Sequence, residues 1–515
     1  MIKKISLNIL AFAIIVSSVL YFQSCDIKSP TENVQVLFNT DGPTTGGSIA
    51  FLDAKTSAMI TSPNVTVSFI GDNAGKITDM AKNVTPQFTS SNGIISFGLV
   101  EGTQLPLNVT VLISSNGFLT TSLPVTISSQ GFSAYNLYMV NIANPPDGVS
   151  IAQINNAGTC INGVISSESV LTTTLTNGTG GICKIRVPAG TIITDNSPSP
   201  INLNGQLNAL VAYFDPTKET ALRCFPGGLN LSNDTVMKSA GFALFEIKDA
   251  AGRIAKYFPG TQPTITIEIP ANAVNLQGAP IQIGDAIPVF SYETSAGTWS
   301  HEPIGIVSAG SNSNKAISFN TPHLSYWNLD YFQGGNCTLG RTIRFNQTGG
   351  CSSVPLEVKL YFVAGTTETY YKTVIKSASD NTLAFNYAPA ANMKIKLYYN
   401  GNLIYTSDPV SLCTGGDLTL TYNVPTLQSI TGTVTGICTN NSNVVIHPSF
   451  PVYYKRSGTT AWYYLGYMVN GSLTQYCGEF GTYDFMTYYN NSALYANNIS
   501  INTVNPSFSF YLSCQ

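Results

Sequence analysis

Leu107-Asn108-Val109-Thr110-Val111-Leu112-Ile113-Ser114 alternates apolar and polar side chains. A period of two puts the apolar set on one face of an extended strand and the polar set on the other. The same alternation runs through Val34–Asn39, Val65–Ile70, Gly93–Val100 and Leu137–Ile142, and Gly, Asn, Asp and Pro separate the runs. Those residues punctuate strands because they suit tight turns. No long stretch carries a helical period. The pattern predicts an all-β chain of several β-sandwich domains in series, Ig-like or transthyretin-like.

Composition agrees with that reading. The chain has 515 residues, with 44 Gly, 27 Pro, 27 Tyr and 25 Phe. Its length exceeds one ordinary core and implies three to five domains. Charged residues are only 10% and the net charge is −3. No run of Lys or Arg is present to neutralise phosphates, so nucleic acid is not an expected partner.

The N-terminus carries a second kind of signal. Lys3 and Lys4 precede the apolar stretch Ile5–Phe22, and Gln23-Ser24 leads to Cys25. A basic start, an apolar segment and a small residue before the cut mark a secretory signal peptide. A cysteine just after that cut resembles the lipid attachment point of bacterial lipoproteins, in the looser form found in the Bacteroidota. The resemblance implies an outer-membrane lipoprotein with acyl chains, palmitate among them, on Cys25. An ordinary cleaved signal peptide and a retained membrane anchor are the alternatives, the latter because the stretch nears the ~20 residues that span a bilayer.

The expected organisation is a signal peptide at 1–24, a polar tether at 25–33, a β-sandwich at 34–148, a larger β-rich domain at 149–333, and two sandwich repeats at 338–425 and 426–515. The repeats share four landmarks in one order. Gly365-Thr366-Thr367 before Tyr370-Tyr371 answers Gly458-Thr459-Thr460 before Tyr463-Tyr464. Tyr398-Tyr399-Asn400 answers Tyr488-Tyr489-Asn490, Thr348–Cys351 answers Thr435–Cys438, and Pro409…Cys413 answers Pro506…Cys514.

Two further blocks carry resemblances. Val187-Pro188-Ala189-Gly190-Thr191, Phe225-Pro226-Gly227-Gly228-Leu229, Ile267-Glu268-Ile269-Pro270 and His323-Leu324-Ser325-Tyr326-Trp327-Asn328 occur in an order that resembles the β-rich extracellular region of cartilage intermediate layer protein, loosely similar to ZU5 modules. That implies a surface β-scaffold with no catalytic residues. The layout of 34–148 resembles the seven-stranded carboxypeptidase-regulatory-like sandwich.

An exported chain sits where disulfides form. Setting Cys25 aside leaves nine cysteines, an odd number. Recurrence in the repeats favours Cys351–Cys413 and Cys438–Cys514, and proximity suggests Cys160–Cys183. Cys224, Cys337 and Cys477 have no assigned partner.

No H-E-x-x-H, P-loop, Gly-x-Ser-x-Gly or dinucleotide fingerprint occurs, and no cofactor or metal is expected. His323 reads as a packed residue near Trp327. Tyr370, Tyr371, Trp462, Tyr463, Tyr464, Tyr488 and Tyr489 are the binding candidates. Adjacent residues of a strand point to opposite faces, so one ring of each pair should face outward, toward a glycan or a protein surface. Cross-strand aromatic pairing within the sheet is the alternative use of the same rings. The expectation is a non-enzymatic, membrane-anchored rod, structural, adhesive or ligand-presenting, with the Tyr-rich repeats farthest in sequence from the anchor. A glycan-binding accessory lipoprotein of a polysaccharide-uptake system, and a hydrolase with a carboxylate pair in the 149–333 block, are the alternatives.

Overall fold

A computed structural model of the chain describes residues 36–512 apart from 40–41, 233–234, 335, 338–339, 350, 352, 386–387, 425–426 and 490–491. Cys25, Cys514 and the signal segment lie outside the described residues. The chain is all-β, built as β-sandwich domains that follow one another along the sequence. Strand Leu107–Ser115 shows why. Leu107, Val109, Val111 and Ile113 are all buried, whereas Asn108 is exposed and Thr110 half-exposed.

The first sandwich pairs two four-stranded sheets. One has the order Ile77–Thr78, Ile94–Leu99, Thr45–Asp53, Gly131–Met139, and the other Gln87–Ser90, Val65–Ile70, Leu107–Ser115, Thr121–Ile127. Its first strand, Thr45–Asp53, runs parallel to its last, Gly131–Met139. The third sandwich repeats that arrangement, with Thr342–Gln347 parallel to Leu418–Tyr422. So does the fourth, with Gln428–Cys438 parallel to Ser507–Leu512. In all three, once the short Ile77–Thr78 strand of the first, the two-residue strands of the third and the added Asn441–His447 of the fourth are set aside, the opposite sheet orders its four main strands third, second, fifth, sixth. The first sandwich is therefore a third copy of the topology that the sequence reveals only in the two C-terminal repeats. The 149–334 domain differs, packing an eight-stranded sheet on a five-stranded one.

The extended rod is not what the chain forms. The largest hydrophobic cluster runs from Ile49 through Val149, Phe214 and Tyr326 to Leu360, Tyr453 and Tyr488 and reaches into all four domains, while the 149–334 domain and the fourth sandwich also keep cores of their own around Trp327 and Leu465. The fourth sandwich folds back on the first. Tyr453 Oη donates to Ser48 Oγ at 2.9 Å, Tyr488 Oη to the Thr89 carbonyl at 3.1 Å, and Tyr467 stacks on Phe132 at 3.8 Å. The N-terminal strand Val36–Asn39 goes further and pairs in parallel with Asn441–His447, becoming an edge strand of the last sandwich. The physical cause lies in the outward sheet faces. They carry buried aromatic rings, each removing some 150–250 Å² from water, so the sandwiches collapse on one another.

The disulfide pairings also differ from the expectation. Cys351 bonds Cys477, and Cys413 bonds Cys337. Cys351 lies just past its strand, where the Ser353 amide donates to Cys477 Sγ of the next repeat and the Ser353 carbonyl accepts from the Cys477 amide. Cys337 reaches Cys413 because Asn336–Cys337 pairs with Ala388–Pro389, beside the Cys413 sulfur. Cys438 is disulfide-bonded, but Cys514, the partner expected for it, lies outside the described residues. Cys160 and Cys183 are free and buried, on different sheets of the 149–334 domain. Burial pushes both thiols up.

Candidate functional site

The tyrosines of the repeats do leave their own cores in alternation, but most of the outward rings are covered by other domains. In the third sandwich, Tyr371 packs inward on Phe362 at 5.1 Å. Tyr370 meets Tyr361 edge to face on the outward side, and both rings are buried. That outward side meets the short helix Glu219–Leu222 of the 149–334 domain. Tyr361 Oη and Lys359 Nζ each reach a Glu219 carboxylate oxygen at 2.8 Å. Burial alone would raise the Glu219 carboxyl; the Lys359 ammonium and the Tyr361 hydroxyl outweigh it and hold the group below its usual range. Arg223, one turn on, lies 4.2 Å above the Tyr138 ring of the first sandwich. This junction of three domains is a structural clamp rather than an open site.

The fourth sandwich behaves alike. Tyr464 faces Tyr453 edge to face, and both are buried, as is Tyr488. Tyr370, Tyr371, Tyr464 and Tyr488 are thus closed to any ligand, which corrects the expectation of a row of ligand-facing rings. The side chain of Tyr489 lies outside the described residues. Tyr463 is half-buried against Tyr454.

Trp462 is the candidate that stays at the surface. It is half-buried, and its indole sits 6.3 Å from the ring of Tyr495, which is 51% exposed. Tyr495, which follows Tyr488-Tyr489-Asn490 as Tyr405 follows Tyr398-Tyr399-Asn400 in the repeat, is not among the binding candidates that the sequence offers. Lys455 Nζ lies 5.1 Å from the Trp462 ring and 3.4 Å from Asp484. Asp484 also accepts from the Asn498 amide and the Ser457 hydroxyl, which, with Lys455, hold its carboxyl below the usual range. The result is an aromatic pair beside a lysine that a buried carboxylate holds in place. Such a surface can stack on the apolar face of a sugar ring and hydrogen-bond its hydroxyls. A small recess of about 20 Å³ lies at the seam of the repeats, lined by Tyr399, Tyr454, Glu479, Tyr483 and Phe485 among others.

The 149–334 domain holds four deeply buried carboxylates, of which Asp249 accepts from the Ala251 and Arg253 amides. Asp215 accepts from the Gly180 and Thr217 amides. Glu268 accepts from the Ser311 amide at 2.8 Å and from Asn314 Nδ2 at 3.0 Å. Asp330 accepts from the Lys238 amide and from Asn328 Nδ2, and burial pushes its carboxyl up to about 8. Each fastens loops or strands through its oxygens. His323 stacks on Trp327 at 5.0 Å and contacts Glu302 at 3.2 Å, the packed role expected of it. Among the described residues, no group of three or more His, Cys, Asp or Glu is placed to hold a metal ion, and no helix is long and apolar enough to cross a membrane.

No protein family matches the sequence, and no characterised protein matches it. Among solved structures, a streptococcal ancillary pilin shares 12% identity over 44% of this chain and 92% of its own, with a TM-score of 0.15. The major pilin subunit BcpA of Bacillus cereus shares 9% over 91% and 99%, with a TM-score of 0.14. The pilus protein RrgB of Streptococcus pneumoniae shares 8% over 88% and 93%, with a TM-score of 0.13. At scores this low the likeness is between multi-domain chains and says nothing further about this one.

Proposed function

We propose that this chain is a structural and adhesive surface protein, a rigid four-domain β scaffold held to the outer membrane by lipid on Cys25. The observation that carries the scaffold reading is the hydrophobic cluster that continues across the seams of all four domains. Relative motion is the default for domains that meet only through small interfaces. A cluster that crosses the seams, with buried tyrosines in it, opposes that motion and stiffens the body. The anchor rests on the N-terminal sequence. Cys25→Ala is expected to abolish lipid labelling and to move the protein out of the membrane fraction. Retention of that variant in the membrane would refute the anchor.

A second reading is favoured by the Trp462–Tyr495 pair. In it the protein captures glycans beside a transport system. Affinity gels containing soluble plant and microbial polysaccharides should retard the protein, and Trp462→Ala should release it. Equal mobility of the two proteins in every gel would dispose of this reading.

A further inference from the structure

The free end of the 149–334 domain carries an apolar patch that neither reading above uses. Strand Val149–Ile161 starts in the shared core at Val149 and runs about 40 Å to Ile161. Strand Gly205–Phe214 returns beside it, again with its inner end, Phe214, in the shared core. At the far end Ile161 is 60% exposed, Ile254 49%, Ile201 46%, Tyr257 41%, Val164 38% and Ile192 36%. These residues form one tile. Ile161 opposes Val164 across a two-residue turn, Val164 bridges Ile192, and Thr194 bridges both Asn202 and Tyr257. Ile254 bridges Lys248 on the neighbouring strand. The turn is rigid, since Asn162 and Gly163 both hold positive φ, the geometry of a tight hairpin.

Charge decides what the tile accepts. Arg253 pairs with Asp249, Lys248 with Glu246, and Lys256 with Glu293. Asp195 turns its carboxylate into its own loop, toward Ser197 and the Ile201 amide. A face whose charges are already paired meets no repulsion from its own image. The six side chains expose roughly 550 Å² in all, at the upper end for a monomer's largest patch and about two-thirds of the ~800 Å² per partner of a standard interface, the size of a weak contact.

We propose that this tip is a homophilic contact, in which the patch of one copy docks on the same patch of a second copy. The inference rests on the adhesive reading for one consequence: the N-terminal strand belongs to the fourth sandwich, so tip-to-tip pairing points two anchors away from each other, toward opposing membranes.

Sedimentation velocity on the unlipidated Cys25→Ser protein tests the contact apart from the anchor. A concentration-dependent dimer is expected up to about 100 μM, a dissociation constant that corresponds to roughly −5.5 kcal/mol. Ile161→Asp and Ile254→Asp should each weaken it at least tenfold with the melting temperature unchanged. Leu403→Asp, at an exposed residue of the third sandwich, should leave it intact. A wild-type protein that stays monomeric, or a Leu403→Asp effect equal to the tip variants, would overturn the proposal. Vesicles carrying lipidated protein separate the two claims. Clumping that survives Ile161→Asp keeps adhesion and overturns the tip contact. A solution dimer without clumping keeps the contact and overturns adhesion.

Discussion

Lys376 is fully buried where the third and fourth sandwiches meet. Its Nζ donates to Ser353 Oγ at 2.9 Å, the Val354 carbonyl at 2.8 Å and the Ser377 carbonyl at 3.0 Å, which holds the segment after Cys351 in place. Burial pushes the ammonium down to about 7, against the pull of Asp380. An ordinary lysine titrates near 10.4. Between those values the unfolded chain binds a proton that the folded chain has released, so stability must rise with pH through this window. Relative to a lysine of ordinary pKa, the lowered value at Lys376 costs the fold about 4 kcal/mol at pH 7 and about 2 kcal/mol at pH 9. Lys376→Met removes that dependence. The hydrogen bonds lost with the amine add an offset that does not titrate. Urea unfolding followed by tyrosine and tryptophan fluorescence, with wild type and variant compared at pH 7, 8 and 9, isolates the lysine. The stability difference should move by about 2 kcal/mol in favour of wild type from pH 7 to 9. Parallel curves across that range would refute the account of this residue.

Two further outcomes follow from the seams. Cys351→Ser opens a loop of 126 residues, which the chain-entropy model values at close to 5 kcal/mol; calorimetry should show the third and fourth sandwiches melting earlier, and an unchanged melting profile would show that the bridge does not brace the repeats. Tyr370→Ala and Tyr371→Ala, one ring outward and one inward, should each destabilise by about 3–5 kcal/mol, whereas the half-exposed Trp462→Ala should cost well under half of that; a mild Tyr370→Ala in denaturant titrations would mean that the outward ring is not buried against its neighbours.

The alternation in Leu107–Ser114 was enough to read the β class, because burial on one face is a local property of a strand. The tandem repeat was legible for the same reason. Gly365 and Gly458 turn the chain between the second and third main strands of each repeat, and Tyr399 and Tyr489 end the fifth. The third copy of this topology, in residues 45–139, escaped notice because strand order resides in backbone pairing and the first sandwich lacks the aromatic landmarks. The fate of the tyrosines was half legible. Period two says that Tyr370 leaves its own core but not that Glu219, Arg223 and Tyr138 wait outside it. Cysteine spacing likewise fixed no partner. Cys351 finds Cys477 because two domains meet there, and that is a property of the tertiary arrangement.

The closure of the four domains on one another is the claim on which the rest depends, and small-angle X-ray scattering of the unlipidated Cys25→Ser protein tests it most directly. A closed body of this length has a radius of gyration of about 25 Å. Four sandwiches of about 35 Å laid end to end would give roughly 40 Å. A value near 25 Å with a single-peaked distance distribution is the expected result, and a value near 40 Å would contradict the account.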